Sequence, residues 1–108
     1  MNKLETDRNF VAEATSPAPV RLYLSHTGIG ASSFGSFEGL GWQLVVNKLT
    51  PAGGEQVFRD HWAETLLEIL RYIDVYSDAP LQWRREHSGE LTDLREVQPF
   101  YDASKRYE

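Results

Sequence analysis

The stretch GWQLVVNKLTPAGGEQVFRDHW, Gly41 to Trp62, decides the fold. Its first half places Trp42, Leu44 and Val46 on one side of the chain, the two-residue period of a strand with one buried face. Pro51-Ala52-Gly53-Gly54 then supplies fixed and positive backbone angles, and QVFRDHW resumes the extended pattern. Two such runs around a three- to five-residue glycine loop predict a β-hairpin. An odd loop sets Leu49 against Val57 and Lys48 against Phe58, whereas an even one sets Val46 against Arg59; the odd register agrees better with the apolar pattern.

Asp60 breaks the alternation. Read as an N-cap, its carboxylate accepts from the exposed amides of a following turn, and the main helix then begins at His61. Trp62, Leu66, Ile69, Ile73 and Tyr76 recur every three or four residues, Ala63, Leu67 and Leu70 widen the stripe, and Glu64, Glu68, Arg71, Asp74 and Asp78 form the outer face. Ala79-Pro80 closes the element.

Toward the N-terminus, VRLYLSH puts Val20, Leu22 and Leu24 on one face and reads as a second half-buried strand. Residues 1–19 are expected to be an arm or weak helix, ended by Ser16-Pro17-Ala18-Pro19. Toward the C-terminus, LQWRREH alternates and reads as a further strand. Beyond it, a short helix is expected, bent or ended by Pro99, with residues 99–108 as a tail. The expected architecture is a small two-layer α+β sandwich, a three- or four-stranded antiparallel meander on one long amphipathic helix, with residues 20–98 as the single domain. A chain of 108 residues that is 41% hydrophobic can bury one such core.

Ser25 to Trp42, SHTGIGASSFGSFEGLGW, holds five of the eight glycines. A phosphate cradle needs converging amides, a lysine, and a helix directly after it. No Lys or Arg stands between Arg21 and Lys48, and the stretch runs toward a strand. It therefore reads as a loop between strands, in which Ile29, Phe34, Phe37 and Leu40 either tuck under the sheet or meet a partner.

Ser25-His26 and Asp60-His61 hold nucleophile, base and carboxylate types, but neighbours on a strand face opposite ways. His26, His61 and His87 lack ligand spacing, so neither a metal nor a cofactor is expected. Trp83-Arg84-Arg85 is followed by Glu86 and Glu90 and reads as a local ion-pair network.

Net charge is −5, and the whole surplus of acid lies after residue 54, a balance that disfavours direct nucleic-acid binding and suits a basic protein partner. Zero cysteines fit a reducing compartment, and with no leader or membrane-length apolar run the expected location is the cytoplasm, away from any membrane. Together these features predict a non-enzymatic interaction module, an adaptor or inhibitor, with Phe34 and Phe37 as apolar anchors and Glu64, Glu68, Asp74 and Asp78 as the orienting charges. Small acidic inhibitors of nucleic-acid-processing proteins, of the kind carried by phages and mobile elements, share this size and charge. The rival expectations are a nucleotide- or small-ligand-binding enzyme using the glycine-rich stretch, and a self-associating module that forms a homodimer.

Overall fold

The hairpin expected around Gly53 is the spine of the fold. The computed structural model describes residues 9–32 and 35–105. Its strands are β1 (Asn9–Ala14), β2 (Val20–Ser32), β3 (Gly35–Leu49), β4 (Glu55–Ala63), β5 (Trp83–Arg85) and β6 (Leu91–Thr92); its helices are α1 (Leu66–Tyr76) and α2 (Leu94–Lys105). The strands form one antiparallel sheet in the order β4-β3-β2-β1-β5-β6. Two helices lie against it, where the sequence predicted three or four strands, one long helix and a short helix near Pro99.

The alternations fix which face is buried. Val20, Leu22 and Leu24 of β2 and Trp42, Leu44 and Val46 of β3 are all buried, joined by Phe10, Ala12 and Ala14 of β1 and Trp83 of β5. Leu66, Ile69, Leu70 and Ile73 of α1 and Leu94 and Tyr101 of α2 close over the same cluster. The other face of the sheet carries a polar network. Glu55 accepts hydrogen bonds from Arg21 Nη1 (2.7 Å), the Tyr23 hydroxyl (2.7 Å) and Asn47 Nδ2 (3.2 Å), while Arg21 and Arg84 both pair with Glu13.

The β3–β4 register has the odd loop but neither pair expected from it, since Lys48 faces Gln56 rather than Phe58. The loop is odd, Thr50 to Gly54, closed by Thr50 N to Gly54 O and Gly53 N to Thr50 O, with Gly53 at φ +86°. It pairs Leu49 with Glu55 and Asn47 with Val57, so the expected Leu49–Val57 pair does not form. A bulge at Phe58 then shifts the ladder by one, and Val46 faces Arg59 as an even loop would have had it.

That ladder also corrects the helix start. Asp60, His61, Trp62 and Ala63 pair with Val45, Leu44, Gln43 and Trp42, so Asp60 is a strand residue and the cap is Thr65. Thr65 Oγ1 accepts from Glu68 N at 3.3 Å. Residues expected as an arm or weak helix contain β1, an interior strand between β2 and β5, and the proline-rich segment is the turn that follows it. Pro99 lies inside α2, where it removes one helix donor. Leu94 and Tyr101, both buried, anchor the helix on either side of it. Among the described residues, no helix is long and apolar enough to cross a membrane.

Candidate functional site

The glycine-rich stretch expected as a loop is a β-ribbon. Among the described residues, β1 accompanies β2 as far as Asn9–Ser25 and β4 accompanies β3 as far as Ala63–Trp42. Beyond those pairs β2 and β3 bond to each other, through Thr27–Gly41, Ile29–Glu38, Gly30–Phe37, Ala31–Ser36 and Ser32–Gly35, with an irregularity after Thr27. Both outer edges of this ribbon lack a strand partner among the described residues. Phe37 is a β3 position paired with Gly30; Phe34 lies outside the described residues. Gly28, Gly30, Gly35, Gly39 and Gly41 are strand positions rather than the opening of a helix, which is where a phosphate loop would put them.

The ribbon stands on an aromatic base. The His26 ring stacks on Trp42 (centroids 4.3 Å, 17°), and Tyr101 from α2 meets both edge-on at 5.2 and 5.0 Å. On the opposite face, Trp62 lies over Gly41, whose missing Cβ leaves room for its ring.

The carboxylates divide between the two ends of α1. Glu64 directly follows Ala63, the last β4 residue paired at the ribbon's base, and Glu68 occupies the first turn of the helix; both are exposed. Asp102 of α2 reaches the same helix start, its Oδ1 accepting from Leu66 N (2.9 Å) and its Oδ2 from Leu67 N (3.2 Å) and Gln98 Nε2 (2.7 Å). An exposed helix N-terminus carries unsatisfied amides and partial positive charge, so this carboxylate ties α2 to α1. At the far end Asp74 pairs with Arg95 (3.0 Å), and Asp78 Oδ2 accepts from the Ser16 hydroxyl (2.7 Å). All four acidic residues are therefore on the surface, but only Glu64 and Glu68 share an end with the ribbon.

Ser25 pairs with Gln43 and His26 with Trp42, which turns their side chains to opposite faces; Asp60 and His61 diverge likewise. His61 instead stacks on Tyr72 (4.5 Å, 14°) and shares a hydrogen bond with the Tyr76 hydroxyl (2.5 Å), and burial lowers its pKa. Among the described residues, no group of three or more His, Asp or Glu is arranged to hold a metal ion. Trp83 and Arg85 point into the core, where the Arg85 guanidinium lies 5.1 Å from the Phe10 ring centroid, and Arg84 pairs across to Glu13.

No protein-family model, curated protein or solved structure matches the chain. A cleft of about 480 Å³ opens between α1, β6 and the start of α2, floored by Leu70, Ile73, Leu81 and Trp83 and rimmed by Asp74 and Arg95. Sequence reasoning missed the Glu55 network and the Asp102 cap because both join residues far apart in the chain. It also missed Thr65, although Thr65-Leu66-Leu67-Glu68 carries the spacing of a capping box.

Proposed function

We propose that this protein is a non-enzymatic interaction module, an adaptor or inhibitor that grips a protein partner with the β2–β3 ribbon. The observation that carries this reading is the ribbon's two outer edges, without strand partners over Thr27–Ser32 and Gly35–Gly41 among the described residues. Unpaired strand edges offer rows of donors and acceptors to another chain. Phe34 and Phe37 would supply apolar anchoring. Glu64 and Glu68, at its base, would orient a basic surface and speed its encounter, with Asp74 and Asp78 adding to the negative field from the far end of α1. A basic nucleic-acid-processing protein is one partner of the required charge.

The test is affinity capture from host lysate with three baits: wild type, Phe34→Ala/Phe37→Ala, and Glu64→Lys/Glu68→Lys. One protein should be recovered by wild type, be released by salt, and be lost or much reduced on both variants. Equal recovery on all three baits would remove the ribbon end as the contact surface.

A further inference from the structure

The two edges of the sheet are unlike. One ends in β6, only two residues long, which is among the usual ways an edge is made unavailable. The other is β4, nine residues long, and every residue from Glu55 to Arg59 is exposed. Two large apolar side chains remain on it in contact with solvent, Val57 at 69% and Phe58 at 40% exposure.

Charge on this edge is one-sided. Lys48 pairs across β3 and β2 with buried Val20, and Arg59 pairs with buried Val46, so both belong to the helix-bearing face. They flank Phe58 there, with Lys48 Nζ 4.3 Å and the Arg59 guanidinium 5.1 Å from its ring centroid. Neither cation has a carboxylate within ion-pair distance among the described residues. Glu55, the acidic residue at the start of the strand, is instead occupied on the opposite face by Arg21, Tyr23 and Asn47. Asp60 also belongs to that opposite face, being paired with Val45.

We infer that β4 is a docking edge for an extended acidic peptide segment, added as a seventh strand. Main-chain hydrogen bonds to the edge would supply affinity, and alternate side chains would supply selectivity. Residues of the incoming strand on the helix-bearing face meet Lys48, Phe58 and Arg59 and are required to be acidic. Those on the other face lie beside Val57 and are required to be apolar or β-branched. This surface is separate from the ribbon and opposite to it in charge, so its occupant is a different segment from the basic partner proposed above. Bulges and charges on an edge also serve to repel other strands. The difference is that a merely protected edge gains nothing from keeping Val57 and Phe58 exposed.

The probe is a fluorescein-labelled peptide, Thr-Val-Glu-Val-Glu-Val-Thr, titrated with the full chain and read by anisotropy. Amide chemical-shift mapping locates the contact. Saturable binding is expected, with shifts along β4 and weakening by added salt. A Glu→Gln peptide should bind at least roughly tenfold more weakly, as should Lys48→Glu/Arg59→Glu protein, the loss expected when close charge pairs are removed. N-methylation of alternate peptide amides should abolish binding. Both protein substitutions are at exposed positions, and an unchanged thermal midpoint verifies that they leave the fold intact. Absent or unsaturable binding, shifts away from β4, or equal affinity for the Gln peptide would each overturn the inference. So would tighter binding of an oligouridylate than of the peptide, or sedimentation showing that β4 is covered by a second copy of the chain.

Discussion

Gly41 is the residue on which the ribbon turns from interior strand to free arm, and its size matters more than its backbone freedom. A Cβ placed there would lie 2.5 Å from Trp62 Cζ2 and 2.8 Å from the Ala63 carbonyl oxygen. The ring can shift, but the carbonyl belongs to the β3–β4 ladder and cannot move without breaking it. Gly41→Ala is expected to destabilise the fold by about 1–3 kcal/mol, the usual cost of overpacking. Trp62→Leu in the same background should recover only part of that loss, as measured by urea unfolding. His61 makes a second prediction at this scale. Burial holds its pKa below the ordinary value of about 6.5, so below that pH the unfolded chain binds more protons than the folded one. The stabilisation is complete above pH ~6.5 and is lost as pH falls through the lowered folded value. The thermal midpoint of wild type should therefore fall between about pH 7 and 5, and His61→Gln should flatten that part of the curve. The Glu55 carboxyl is held below its usual range by hydrogen bonds from Tyr23 and Asn47. Its contribution is present above the ordinary carboxylate pKa of about 4.3 and is lost at lower pH, a window separable from that of His61.

At the scale of elements, α1 owes its start to two acceptors from different parts of the chain. Thr65 caps the Glu68 amide from within, and Asp102 covers the Leu66 and Leu67 amides from α2. Thr65→Ala should cost about 1 kcal/mol, the usual value of one lost cap. Asp102→Ala should cost more, because it leaves two amides and Gln98 without their acceptor, and Asp102→Asn should fall between; urea midpoints rank the three. The same element shows why some of the fold was legible in sequence and some was not. The stripe Leu66, Ile69, Leu70, Ile73 was readable because helical burial repeats every three or four residues, and all four are buried. The boundary at Asp60 was misplaced because an acceptor before an apolar run marks either a cap or one more strand position; pairing with Val45 decided it. β1 escaped notice because NFVAEA is short and its Val11 is buried on the second face, which blurs the period of two. The glycines at 28, 30, 35, 39 and 41 read as a loop, since glycine has low strand propensity; cross-strand pairing of β2 with β3 overrode it. Of the chosen acidic residues, exposure was readable from periodicity. Their division between the ribbon end and the Arg95 and Ser16 contacts depended on tertiary placement.

For the whole molecule, the decisive property is that the β2–β3 hairpin runs through both body and arm, while among the described residues the flanking strands β1 and β4 accompany only the body. β2 is flanked by β1 up to Ser25 and β3 by β4 up to Trp42, and beyond them, among the described residues, β2 and β3 pair only with each other. The buried cluster closed by α1 and α2 draws its strand residues from Phe10 to Ala14, Val20 to Leu24, Trp42 to Val46, Ala63 and Trp83. If the ribbon exists to meet a partner, it can be removed without removing the fold. The sharpest form of this experiment replaces Gly28–Leu40 by Asn-Gly, which closes the Thr27–Gly41 pair with the two-residue turn that best matches strand twist. His26, Trp42 and Tyr101 stay in place, as do Gly41 and the ring of Trp62 above it. The shortened chain should unfold cooperatively with a thermal midpoint within a few degrees of wild type, roughly the shift produced by 1 kcal/mol in a domain of this size. It should also lose the salt-sensitive partner recovered by wild type while still binding the acidic peptide at β4. Collapse of cooperative unfolding would make the ribbon part of the core, and retention of the partner would place the contact on the body.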